Sequence, residues 1–459
     1  MAATTRRVQR YPALRHRNFT LLWAGLLVSN MGTWMQNVAQ SWLIYKLTGN
    51  DPIYLGYLGL SFALPMTFLP PVGGMVVDRV DRIKLLYVTQ TGSMLAAFVM
   101  AILAWTGRVE PWEILLSSFV WSCLLAFDNP ARQSLIPNLV PREDLLNALA
   151  LNSATYTGAA LVGPAIAGVL LNIVGAGWLF FLNAVSFLAV IGALALMHHV
   201  PRGHHPPTTM RDALFGGFIY AWRHQLILAL LIVSALGSLF ARSYQQLLPI
   251  FADDIWHAGS SGYGWLLAAG GGGALIAAFV LSSIPQIRHQ GKLLLTSGFA
   301  MSLSLVAFAL SRSFLLGMLT LFIVSAASNV FGTMIATSIQ LHVPNQLRGR
   351  VMSLYATTLI GLPSLGALAV AAIAVSLGAY DQSRLSQAIE SVFDVLGING
   401  ATAWLGPTAG APRAVVLGAL MLVAVLIAVT PMFWPLTAPV VVASERSLHR
   451  AEPEKEARP

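Results

Sequence analysis

The spacing of charges constrains this chain more than any other feature. Charge-free runs recur at 18–45, 52–77, 85–107, 145–201, 255–287, 293–311, 313–347, 351–380 and 414–444. A helix needs roughly 20 apolar residues to cross the hydrocarbon of a bilayer. The run 145–201 holds two crossings, divided by the turn-like "NIVGAG", while 111–136 and 225–252 are apolar segments with internal charge. Twelve spans result, at 19–45, 53–77, 84–106, 111–136, 146–172, 176–198, 225–252, 258–284, 292–311, 313–341, 350–377 and 412–435. At 56% hydrophobic residues, 10% charged and mean hydropathy +0.70, a water-soluble globule is excluded. The predicted fold class is an all-α membrane protein.

Cationic residues concentrate on the cytoplasmic side of such proteins. With the amino terminus inside, 21 of the 27 Lys and Arg fall in segments predicted to be cytoplasmic. Lys46, Arg108, Arg312, Arg384 and Arg413 fall outside, and Arg242 lies within a span. Both termini are therefore expected in the cytoplasm. The pI near 9.9 then reflects lipid headgroups and cytosol, and no nucleic-acid partner is expected. The first apolar run is too long for the core of a cleavable leader and reads as a signal anchor. The single cysteine, Cys123, lies in span four, which excludes an intramolecular disulfide and a thiol-based metal cluster. Neither a metal nor a cofactor is expected.

The chain repeats itself. "SLIPNLVPREDLLNALALN" (134–152) and "SIQLHVPNQLRGRVMSLYA" (338–356) each leave an apolar span, pass a Pro-led polar turn and re-enter. Each precedes a Gly/Pro cluster, "GPAIAG" at 163–168 and "GLPSLG" at 361–366. The predicted organisation is a basic lead-in (1–18), a six-helix bundle (19–198), a cytoplasmic linker (199–224), a second six-helix bundle (225–435) with a long external loop at 378–413, and a charged tail (436–459). Two parallel six-helix halves related by an axis along the membrane normal are a transporter architecture, with substrate bound between them near the midplane.

On these stretches, together with "GGMVVDRVDRIKLL", "DNPARQSLIPNLVPREDLLNALAL" and "PNQLRGRVMSLY" in this order, the chain resembles the major facilitator superfamily. Within it, the chain is similar to bacterial drug:proton antiporters of the macrolide-efflux and enterobactin-exporter type. The superfamily's loop motif between spans two and three maps onto Gly74, Val76, Asp78, Arg79 and Arg82; Asp81 stands where the family has Gly, and Ile83 where it has a basic residue. Asp tolerates left-handed turn geometry, so the turn is expected to survive. The resemblance implies a latch in which Asp78 caps the amino end of span eleven and Arg82 pairs with Asp128, closing the cytoplasmic mouth. Topology alone also explains a short Arg-rich loop, but a carboxylate inside an apolar helix is costly and marks Asp128 as a functional candidate.

The resemblance further implies that spans one, four, seven and ten line a central cavity. Span one offers Asn30, Trp34, Asn37 and Ser41 on one helical face; span seven offers Arg242, Gln245 and Gln246; span ten offers Ser325, Asn329 and Thr333. Bonding between helices is the alternative use of such side chains. A mid-helix guanidinium needs an anionic partner, from substrate or protein, unless Arg242 snorkels outward. Asp128 is also the proton-coupling candidate, as the one acid placed clearly within a span. In span five, Gly163, Pro164 and Gly168 match an antiporter motif in which Ala167 replaces Gly; a kinked packing helix is the plainer reading. The expected function is proton-coupled efflux of amphipathic drugs or siderophore-like compounds by a monomer in the bacterial inner membrane, with lipid, protons and a small-molecule substrate as its partners. The alternatives are a lysophospholipid or metabolite transporter, an uncoupled facilitator and, remotely, a membrane-embedded enzyme, for which no nucleophile or metal-protease motif is present.

Overall fold

The computed structural model describes residues 11–198, 218–284, 289–378 and 410–437, together with positions 394, 397 and 402. Most of the linker, the 378–413 loop and the tail lie outside the described residues, as does the start of the basic lead-in. Its described part includes a short helical turn, Pro12–Arg15.

All regular structure among the described residues is helical. In chain order the helices are α1 (Arg17–Leu47), α2 (Pro52–Phe68), α3 (Pro70–Arg79), α4 (Arg82–Thr106), α5 (Pro111–Leu135), α6 (Leu145–Val174) and α7 (Ala176–Leu196). The second series comprises α8 (Gln225–Ile255), α9 (Gly259–Ser282), α10 (Gln290–Ala309), α11 (Phe314–His342), α12 (Asn345–Gly378) and α13 (Gly410–Thr437). Ten of these, α4 to α13, contain stretches long and apolar enough to cross a membrane. The first two predicted spans are absent from that set for local reasons. Asparagines and glutamines dilute the 31-residue α1. The second crossing is broken into α2 and α3 at Leu69, because Pro70 has no N–H to return to the preceding turn.

Helix ends follow their sequences. Asp51 accepts from the Ile53 amide at 2.9 Å and starts α2. The Glu113 carboxylate accepts from the Glu110 amide at 2.8 Å at the start of α5. Gly107, at φ 66, closes α4 in the left-handed conformation that suits glycine.

The twofold repeat is visible in which helices touch. In the first half α1 packs on α6 and α7, α4 on α5 and α7, and α2 on α5. A shift of six crossings turns these pairs into the contacts of the second half: α8 with α12 and α13, α10 with α11 and α13, and α9 with α11. The two principal interfaces between the halves, α6 with α9 and α2 with α12, are themselves exchanged by that shift. Both depend on small residues. A Cβ on Gly168 would stand 2.6 Å from the Ser260 carbonyl oxygen and 2.9 Å from the Gly264 Cα. A Cβ on Gly56 would stand 2.9 Å from the Leu368 Cα. Close backbone approach of this kind is how helices associate where lipid removes the hydrophobic drive. Large apolar side chains such as Leu303 and Leu315 point outward, as a lipid-facing surface requires.

Candidate functional site

The polar side chains fall into three groups: at the end where α1 begins (the near end), midway along the bundle, and at the opposite, far end. At the near end Asp128 is only 4% exposed. Its Oδ2 lies 2.7 Å from Arg132 Nε, one helical turn on, and its Oδ1 accepts from Thr89 Oγ1 at 2.9 Å and Gln90 Nε2 at 2.7 Å. In this structure the i,i+4 spacing places Arg132 on the Asp128 carboxylate, where the resemblance implied Arg82. Arg82 Nη1 donates to the Ser134 carbonyl at 3.1 Å, among the α5 carbonyls that have no helical partner.

The loop itself differs from expectation at two positions. Asp81 is extended, with φ −62 and ψ 119, and its carboxylate caps α4 by accepting from the Ile83 and Lys84 amides. It thus replaces the family glycine as a helix cap and not as a left-handed turn residue. At Gly74 a Cβ would meet nothing within 4 Å, whereas at Gly73 it would collide with the Ala126 carbonyl of α5. Gly73 is the tight position. Arg79 is exposed at the end of α3, and the side chain of Asp78 lies outside the described residues.

Midway, Asn30, Trp34 and Asn37 are half-buried on α1, and Trp34 meets Tyr156 of α6 with ring centroids 6.0 Å apart. Gly163 backs Trp34, and a Cβ there would stand 2.8 Å from the Trp34 Cβ. Asn329 is half-buried on α11. Among the described residues the side chains of Asn30, Asn37, Gln246 and Asn329 have no hydrogen-bond partner, so their amides are available to a ligand. The stripe on α8 is not a regular helical face. The helix loosens into a π-turn at Gly237–Ala241 and tightens into a 3-10 turn at Ser243–Leu247. Pro249 contributes, since it cannot return a hydrogen bond to Gln245. Gln245 is consequently exposed while Gln246 and Arg242 are half-buried. Arg242 lines a cavity between α8, α10, α11 and α12.

At the far end the two halves are tied together. Tyr45 donates its hydroxyl proton to Asp254, Lys46 pairs with Asp253, and Asn50 Nδ2 donates to Asp254 Oδ1 at 2.8 Å and Asp253 Oδ2 at 3.4 Å. Asn50 sits at φ 68, a left-handed position that Asn tolerates, and this aims its amide at the acids. Beside this cluster the Trp42 ring stacks on Tyr263 at 6.3 Å, and Lys46 lies 5.4 Å above Trp42. The hydroxyls of Ser260 and Ser261 donate to the Gly168 carbonyl at 3.2 and 3.3 Å. Among the described residues, every side-chain hydrogen bond between the halves belongs to this far-end group. Sequence reading located Lys46, Asp253 and Asp254 outside the membrane but had no signal joining positions some two hundred residues apart.

Two bundles repeating each other's contacts, joined by glycine-rich helix pairs and tied at one end across a polar midsection, define a multi-pass membrane transporter of the major facilitator superfamily. The chain belongs to the family described as MFS_3, transmembrane secretion effector, whose model matches residues 9–390. Among relatives, a staphyloferrin A transporter of Staphylococcus aureus is 23% identical over 335 residues, covering 71% of this chain and 81% of that protein. An enterobactin exporter of Escherichia coli is 25% identical over 300 residues, covering 64% and 71% respectively. In fold, the chain is similar to a bacterial homologue of the human lysosomal transporter Spinster, solved inward-facing and unoccupied. The TM-score is 0.69 at 16% identity, with 93% of this chain and 98% of that one covered.

Proposed function

We propose that the protein exports amphipathic organic molecules of drug or siderophore type from the bacterial cytoplasm in exchange for protons, by alternating access. The observation that carries this reading is the far-end tie: Tyr45, Lys46 and Asn50 of the first half grip Asp253 and Asp254 of the second at the end where, among the described residues, side-chain hydrogen bonds join the halves. With the near end cytoplasmic, as the distribution of Lys and Arg favours, this is a state closed to the outside, from which substrate is loaded from within. The relative named as an enterobactin exporter supports the same direction of transport.

In this reading Asn30, Trp34, Asn37, Gln246, Asn329 and Arg242 contact substrate, and the loop around Asp78, Arg79 and Arg82 latches the cytoplasmic mouth in the opposite state. Asp128 takes up the coupling proton by exchanging it for its bond to Arg132. Pro164 bends α6 beside the interface that Gly168 holds close. The test is efflux from proteoliposomes of a panel of drugs and siderophores under an imposed pH gradient. Gradient-dependent export that collapses with a protonophore is expected; export insensitive to the gradient would make the protein an uncoupled facilitator.

A further inference from the structure

Every described acid that faces the bundle interior is engaged, yet its mid-span cation is not. Asp128 is held by Arg132, Thr89 and Gln90. Asp253 and Asp254 are held by Lys46, Tyr45 and Asn50. The guanidinium of Arg242 has no ion pair or side-chain hydrogen bond among the described residues. In the apolar stretch Gln225–Ile255 it stands thirteen residues from the nearer end, too far for its side chain to reach that end.

Its surroundings are built for one sign of charge. Arg242 shares its cavity with Ser234, Ser238, Ser328, Phe331 and Gly332, so the polar side chains there are hydroxyls and a guanidinium, with no carboxylate. Ser234 is satisfied by Thr358 at 2.6 Å, and the Gly332 carbonyl is taken by the Tyr355 hydroxyl at 2.7 Å, which removes the backbone acceptor nearest to hand. Ser238 and Ser328 remain as donors. The backbone on either side of Arg242 leaves the α-helical pattern. Irregular backbone at this depth is tolerated where it lines a cavity, and π-turns concentrate at functional sites.

We propose that Arg242 binds the anionic group of the transported molecule, a carboxylate or another planar oxyanion, on its guanidinium fork; the cavity beside it, about 10 Å³, admits no more than an oxygen of that group toward the Ser238 and Ser328 hydroxyls, and the apolar part of the ligand stays outside it. A guanidinium matches such a group through two parallel hydrogen bonds. The inference deepens the transport reading above and rests on it for its physiological meaning, but the binding chemistry is testable without transport.

The test measures binding of 1-pyrenebutyrate and of its uncharged methyl ester to the purified full-length protein in detergent, with empty micelles as the blank. The native protein is expected to bind the acid at least tenfold more tightly than the ester. That ratio should approach one in Arg242→Gln and be intermediate in Arg242→Lys, which keeps the charge but loses the fork. Equal affinities on the native protein, no binding of either probe, or an unchanged ratio in a folded Arg242→Gln protein would each overturn the proposal. If Arg242→Gln does not fold, the native ratio decides alone. Efflux of both probes from vesicles is scored separately. Acid preference without efflux removes the transport reading and keeps the anion site, whereas efflux without acid preference removes the anion site only.

Discussion

At the scale of single residues, Asp128 and Arg132 carry the sharpest expectation. Truncating one member of a buried ion pair leaves the other uncompensated, typically at a cost of about 3–5 kcal/mol. Arg132 is 19% exposed and partly solvated, so the lower end applies, and Asp128→Ala should lower the thermal unfolding midpoint in detergent by several degrees. Asp128→Asn keeps an acceptor for Thr89 and Gln90, so it should unfold closer to the native protein while losing transport. A stable Asp128→Ala protein with full efflux would remove both the structural and the coupling role. Glycine gives a second contrast. Gly74→Ala meets open space and should retain most activity, whereas Gly168→Val drives a side chain into the Ser260 carbonyl and should abolish it. Asp128 was legible in the sequence because a lone acid in an apolar helix is conspicuous. Its partner in this structure, Arg132, was readable from the i,i+4 spacing in "DNPAR", whereas the family pattern drew attention to Arg82.

At the scale of elements, the far-end junction of α1 with α8 is where conformational change is most exposed to perturbation. Replacing Lys46 with Ala and Asp254 with Asn removes the ion pair and the carboxylate that accepts from Tyr45 and Asn50. The double variant should spend more time open to the far side. A reporter cysteine at Asn37 in a Cys123→Ser background should then react several-fold faster with an external membrane-impermeant maleimide; an unchanged rate would show that the tie does not control the mouth. Existence and order of the helices followed from the spacing of charges and of apolar stretches together, since lipid imposes one length and one hydrogen-bonding solution on every crossing. The break between α2 and α3 and the π- and 3-10 turns of α8 did not follow, because Pro70 and Pro249 each sit in runs that hydropathy reads as continuous.

At the scale of the whole molecule, the six-crossing shift predicts that the halves hold together through α6 with α9 and α2 with α12, and not through the connection between them. A protease site inserted between residues 205 and 210 should therefore leave, after cleavage, two fragments that co-purify in mild detergent. Their separation on size-exclusion would contradict the packing described. The repeat was visible in sequence as two Pro-led turns and two Gly/Pro clusters. The partner helices across the divide were not, since small residues permit close approach without naming what approaches. The clustering of cross-half hydrogen bonds at one rim has a pharmacological consequence. Under the proposed orientation that rim faces the outside, so an antibody fragment or macrocycle bridging the turn after Tyr45 and the segment before His257 would hold the two halves together there, and transport would be blocked by an agent that never has to cross the membrane.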